Sequence, residues 1–165
     1  MSMTDAEPTI DLRKAMGCFA TGVTVVTSWD PAGAPVGTTA NAVTSVSLDP
    51  PLILVCFAQT SLTLAAVREH EAFTVNVLSA EHSELSSAFA RSGARDVWET
   101  VEHDRTATTG PRLAGCVATL ACAAEQITPA GDHEIVIGRV LDTRVSTAGE
   151  RPLLFYRGAY AALAA

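Results

Sequence analysis

Three short stretches of this chain carry side chains able to bind or transfer something. The longest is Gly37-Thr38-Thr39-Ala40-Asn41-Ala42-Val43-Thr44-Ser45-Val46-Ser47-Leu48-Asp49-Pro50-Pro51. It sets hydroxyls, one amide and very small side chains into a segment that otherwise reads as strand, where bulky β-branched and aromatic residues are the usual choice. Such a row leaves room for a flat molecule against the backbone, with hydrogen-bonding groups along its edge. The second stretch, Ala58-Gln59-Thr60-Ser61-Leu62-Thr63, joins an apolar strand to a helix. A helix start offers unpaired N–H groups and a positive dipole end, which suits a phosphate. The third is His133, preceded by Gly131-Asp132 and followed by a strand. Taken alone, each has a plainer reading. The hydroxyls satisfy a barrel corner, Thr60 or Ser61 is an N-cap, and the histidine is structural or solvent-exposed.

Several chemistries lack their motif. No GxGxxG follows a strand, which argues against a doubly wound dinucleotide fold. No GxxxxGK[ST] occurs, so a nucleotide-hydrolysing phosphate loop is excluded. His70, His82, His103 and His133 are far apart without HExxH spacing, and no GxSxG elbow carries a serine nucleophile. Cys18, Cys56, Cys116 and Cys122 lie in apolar surroundings without CxxC spacing. They read as free buried thiols, with no metal site and a cytoplasmic setting.

The elements that position these residues follow from composition and period. The chain has 165 residues, 48% apolar and 18% charged, which fits one domain over 1–165 with a core of its own. Residues 1–10, polar and acidic, are expected to be a flexible N-terminus without the regions of a signal peptide. A net charge of −7, with Lys14 the only lysine, argues against nucleic acid. No apolar run approaches a membrane span.

Leu12, Ala15, Met16 and Phe19 form a helical stripe, with Thr9 as N-cap, Asp11 in the first turn and Gly22 as terminator. Val23–Thr27 is a strand, followed by the turn Asp30-Pro31-Ala32-Gly33. Val43–Leu48 alternates as a second strand. Leu52–Phe57 is continuously apolar and is expected to be buried on both faces. Ser61–Glu69 and Glu81–Ala90 read as helices, and Phe73–Leu78 as a strand. Residues 91–111 are polar and irregular, a candidate mobile lid or long loop. Strands resume at 115–124, 134–143 and 153–157. Six or seven strands against three short helices predict a mainly β protein, a closed or nearly closed antiparallel barrel with peripheral helices.

The combination is more specific than its parts. Phe19-Ala20-Thr21-Gly22-Val23-Thr24-Val25-Val26-Thr27, the run from Gly37 to Ala42, and Ser45-Val46-Ser47-Leu48-Asp49-Pro50-Pro51 resemble the flavin reductase-like family. Phe73–Leu78, the Gly131-Asp132-His133 motif with its strand, and Pro152–Tyr160 extend the resemblance over most of the chain in the same order. It implies an antiparallel split β-barrel that binds flavin. It also implies a reductase that moves hydride from NADH or NADPH to FMN or FAD, and a homodimer whose reduced flavin serves a partner monooxygenase. Two rivals share the fold: an enzyme that keeps FMN for another redox reaction, and a flavin carrier without catalysis.

The same resemblance implies where the cofactors touch. Thr39, Ala40, Asn41, Ala42, Ser45, Val46 and Ser47 lie along the flavin ring, with Cys56 and Ala58 on the strand that follows. Ser61 and Thr63 meet the phosphate or ribityl end. Phe89 either covers the flavin or the adenine or is an ordinary core residue. His133 is the catalytic residue, set beside the nicotinamide and the flavin edge, and Tyr160 borders the nicotinamide pocket. Val43 and Thr38 depart from the family's commoner aromatic and larger aliphatic, so the motifs do not choose between FMN and FAD.

Overall fold

The computed structural model describes residues 10–163 except Ser92 and Ala94. Helix α1 (Leu12–Gly17) precedes strands β1 (Thr21–Gly22), β2 (Thr24–Trp29), β3 (Pro35–Ala40), β4 (Val43–Leu48) and β5 (Pro51–Ala58). Helix α2 (Leu62–His70), β6 (Ala72–Val77) and α3 (Ser83–Phe89) come next. The second half holds β7 (His103–Asp104), β8 (Arg112–Leu113), a long hairpin of β9 (Ala118–Ala130) and β10 (His133–Val145), and a short one of β11 (Leu153–Tyr156) and β12 (Ala159–Ala162).

Seven strands form one antiparallel sheet in the order β3-β2-β6-β9-β10-β5-β4. Its two edge strands, β3 and β4, are consecutive in the chain and joined only by Asn41-Ala42. The link is tied to both sides. The Thr24 hydroxyl donates to the Ala40 carbonyl at 2.7 Å, and the Cys56 amide donates to the Ala42 carbonyl at 3.0 Å. No ladder pairs β3 with β4, so the sheet curls without closing. The expected split barrel is present in that form.

Helix α2 packs against β2, β3 and β6. Ser61 caps it, its hydroxyl accepting from the Leu64 amide at 3.3 Å. Leu64 and Val67, three residues apart, face inward and join Val55, Phe57, Phe73, Val75 and Val136 in the main core. Each such buried side chain contributes roughly 1.5–3 kcal/mol. A second core lies on the other face of β2, where Val25, Leu78, Phe89, Leu113 and Leu153 meet. Strand β2 is therefore covered on both faces.

Three sequence expectations change. Strand β5 is not buried on both faces: Ile53, Val55 and Phe57 point into the core, while Leu54 and Cys56 are half-buried on the outward side. Its outward face is apolar because it borders a hollow, which composition cannot distinguish from a core. Helix α1 ends at Gly17, and Gly22 instead pairs with Leu154 in a ladder. Asp11 is the N-cap, accepting from the Lys14 amide at 3.0 Å. The expected N-cap Thr9 and the expected flexibility of 1–10 fall, save for Ile10, outside the described residues. The four cysteines are unpaired thiols, but only Cys122 is fully buried and Cys18 is exposed.

The segment 91–111 is less loop-like than expected. Asp96–Glu99 form a 3-10 turn, and β7 pairs with β8. Its far end is pinned to the sheet by buried polar groups. Thr74 donates to the Gly110 carbonyl at 2.9 Å and shares a hydrogen bond of 2.8 Å with the Thr109 hydroxyl. Thr27 donates to the Pro111 carbonyl at 2.7 Å. Asn76, fully buried, donates to the Val25 carbonyl at 3.0 Å and accepts from the Leu113 amide at 2.9 Å. Threonine and asparagine on neighbouring strands thus supply the partners that this segment's backbone needs.

Replacing Asn76 with alanine strands the Leu113 amide and empties a packed site. A loss of about 2–3 kcal/mol is expected from an unsatisfied buried donor, read as a lower urea midpoint. Faster exchange of the Leu113 amide should accompany it; unchanged exchange there would mean that Asn76 does not pin the segment.

Candidate functional site

Two hollows flank the outward side of the Asn41-Ala42 link. The larger, about 1130 Å³, is lined by Asn41, Ala42, Thr44, Ser45 and Cys56, and by apolar groups such as Phe155. Arg13, Met16 and Phe19 of the α1 region form part of its wall. The smaller, about 200 Å³, lies between β3, the start of α2 and the residues after α3. Ala58, Ser61 and Thr63 line it on one side, Arg91, Arg95 and Trp98 on the other. Strand β5 serves both, since Cys56 and Ala58 are two residues apart and share a face.

Local chemistry explains each wall. A bulge at Val46 shifts the register between Ser45 and Ser47, turning Val46 outward to 50% exposure. Gly37 is required by close packing. A Cβ there would lie 2.9 Å from Phe89 Cε1 and 3.1 Å from Trp98 Cζ2, so only glycine lets these rings lie on β3. Thr63 is 2% exposed, yet its hydroxyl makes no hydrogen bond with another described residue. The residue lines the smaller hollow.

His133 begins β10 opposite Ala58 in the β5–β10 ladder, which places their Cβ atoms ~5 Å apart on one face. The preceding turn has Gly131 at φ 66. Gln59 holds that turn: its amide donates to the Asp132 carbonyl at 3.1 Å and its side chain to the Gly131 carbonyl at 3.2 Å. His133 Nδ1 is 2.7 Å from Asp132 Oδ1. That hydrogen bond, with the histidine's charge, holds the Asp132 carboxyl below its ordinary range. The carboxylate can only accept, so Nδ1–H donates to it, while Nε2 has no hydrogen-bond partner among the described residues. On the inward side of the same strand, buried Glu134 pairs with Arg68 of α2.

The structure gathers only some of the candidates. Asn41, Ala42, Ser45 and Cys56 line the larger hollow; Ala58, Ser61 and Thr63 line the smaller. Thr39 donates to the Ser86 carbonyl at 2.6 Å, and Ala40 accepts from Thr24. Both brace the link without lining either hollow. Val46, Ser47 and His133 are at the surface outside them. Phe89 is 1% exposed and lies in the second core, its ring centroid 4.9 Å from that of Trp98 in a T-shaped contact. Tyr160 donates to the Ser86 hydroxyl at 2.9 Å and stacks edge-on against Phe155, 5.7 Å between centroids. It therefore fastens the C-terminal hairpin to α3. Sequence reasoning missed Arg91, Arg95 and Trp98. Their only signal was two arginines four residues apart in a segment read as loop.

A family model described as the flavin reductase like domain matches residues 16–164. The stachydrine N-demethylase reductase subunit of Rhizobium meliloti (strain 1021) is 42% identical over 149 residues, covering 90% of this chain and 64% of that protein. The chain spans about half the length of two further relatives. The NADH-dependent FMN reductase of Agrobacterium fabrum (strain C58 / ATCC 33970) is 39% identical, over 90% of this chain and 82% of the relative. Among solved structures, the NADH:FAD oxidoreductase of Streptomyces globisporus C-1027 in complex with NAD and FAD fragments superposes with a TM-score of 0.84. It is 35% identical over 93% of this chain and 91% of that one.

Thiol chemistry reports on this geometry. Burial pushes the Cys56 thiol up, and Cys116 and Cys122 up to about 12. Timed alkylation of native protein at pH 8, mapped by mass spectrometry, is expected to modify Cys18 first and Cys56 more slowly. Cys116 and Cys122 should react only on unfolding; modification of Cys122 ahead of Cys56 would contradict the placement of Cys56 at an open hollow.

Proposed function

The chain belongs to the flavin reductase-like domain family, and from that premise we propose that it is an NAD(P)H-dependent flavin reductase that passes reduced FMN or FAD to a partner monooxygenase. The observation that carries this reading is the paired hollow along β5. One part is large, mostly apolar and edged by Asn41, Thr44 and Ser45, as a flat aromatic ligand needs. The other offers a helix start and the Ser61 and Thr63 region to a phosphate. These residues fit a flavin.

Hydride transfer from nicotinamide to flavin is chemistry supplied by the two cofactors themselves. The chain's part is to bind, orient and keep water away. Asn41 and the backbone of the β3–β4 link offer donors and acceptors to the ring's polar edge. His133, its Nδ1–H held by Asp132, presents Nε2 to orient the nicotinamide or to deliver a proton at that atom. No carboxylate pair is needed.

A homodimer is part of the proposal. Helix α1 has no buried residue, and Leu12, Met16 and Phe19 are 66%, 55% and 67% exposed beside the larger hollow. A second copy laid over this face would cover these side chains and seal the hollow from water. No helix among the described residues is long and apolar enough to cross a membrane. Unpaired thiols and dependence on a reduced nicotinamide support a place in the cytoplasm.

The test is loss of absorbance at 340 nm with NADH or NADPH and added FMN or FAD. Flavin-dependent oxidation supports the reductase; no oxidation with either nicotinamide would leave a binding protein and overturn the reading. Replacing His133 with alanine should raise the KM for NADH by at least about tenfold, the equivalent of one charge-assisted hydrogen bond. Flavin affinity should change much less, and equal losses in both would remove the assignment of His133 to the nicotinamide.

A further inference from the structure

The smaller hollow bears on which flavin the protein prefers. At about 200 Å³ it is below the ~300–1,000 Å³ of pockets that enclose a whole drug-sized ligand. It suits one end of a longer molecule. Arg91 and Arg95 line it and no Asp or Glu does, a local reversal in a chain of net charge −7. Among the described residues each arginine has one loose partner: Arg91 lies 3.4 Å from exposed Asp96, and Arg95 3.8 Å from Asp30, whose side chain is mostly buried. Both guanidinium groups are themselves exposed, and pairs this long contribute little against a charge-assisted bond to phosphate. Across the cleft stand the capped start of α2 and Thr63, which lines the hollow. Trp98 adds an aromatic wall, held by its edge-on contact with Phe89.

A single phosphate is served by the Ser61–Thr63 wall alone. Two further guanidinium groups and an indole on the opposite wall exceed what FMN can use. They match a second phosphate and a purine. We propose that FAD is the preferred flavin and that its adenylate half is held between Arg91, Arg95 and Trp98. The inference rests on the reading that the flavin phosphate lies at Ser61 and Thr63. The group bonded directly to that phosphate is then the flavin's own adenylate, not that of the nicotinamide.

The test is equilibrium binding of FMN and of FAD by fluorescence titration, without nicotinamide, on the wild type and on a variant carrying Arg91→Ala and Arg95→Ala. Both side chains are exposed, and a thermal melt checks that the fold is kept. The wild type should bind FAD more tightly than FMN. The variant should lose about tenfold or more for FAD, the loss expected for charge-assisted contacts, with FMN within about twofold. Arg95→Glu should lose FAD affinity further. Equal affinities in the wild type, or equal losses for both flavins, overturn the proposal. So does a higher KM for NADH with both flavin affinities unchanged, which would give the cleft to the nicotinamide's adenylate. Failure of the wild type to bind either flavin would instead overturn the function proposed above.

Discussion

Everything in this molecule follows from one connection. Strands β3 and β4 are opposite edges of a seven-stranded sheet, yet only Asn41 and Ala42 separate them. In a flat sheet those edges would be ~29 Å apart, six spacings of ~4.8 Å. Three steps of chain from Ala40 to Val43 span at most ~11 Å. The sheet must curl until its edges nearly touch, and the link then lies where they meet. The split is what remains of the seam, and helix α2 packs beside it on β2 and β3.

The hollows inherit their rigidity from this arrangement. The link is bonded to β2 through Thr24 and to β5 through Cys56. The end of β5 is bonded through Gln59 to the turn that carries His133, and Ser61 caps α2 directly beyond it. Link, histidine turn and helix start therefore form one continuous hydrogen-bonded frame. Such a frame suits a reaction whose reactivity belongs to its cofactors, because distance and orientation are then all the protein must supply. Buried threonines and Asn76 extend the same logic to the segment behind β2, which would otherwise be free to move.

Electrostatics work locally against the global field. A chain with net charge −7 repels an anionic ligand at long range. Its two cleft-lining arginines lie on a segment outside the sheet, close to the α2 start. Charge is thus concentrated where a phosphate would sit, while the larger hollow stays mostly apolar.

Local pattern was enough to place six of the seven sheet strands, helix α2 and the turn at Asp30, because period, capping and turn chemistry act within a few residues; it missed β3, whose small and polar residues carry no strand pattern. The resemblance of ordered motifs was enough for the family, and it singled out Thr39 to Ser47, of which Asn41, Ala42 and Ser45 line the larger hollow, and Ser61 and Thr63, which line the smaller. Tertiary structure alone decided the rest. The outward face of β5 reads as core in sequence because a hollow wall and a core are both apolar. The contacts of Phe89 with Trp98 and of Tyr160 with Phe155 came from the fold, since which ring an aromatic meets depends on the layer behind it. Arg91, Arg95 and Trp98 became a wall only when α3 folded back onto Gly37. Contacts between residues more than fifty positions apart leave no periodic trace, so only the folded chain could bring them together.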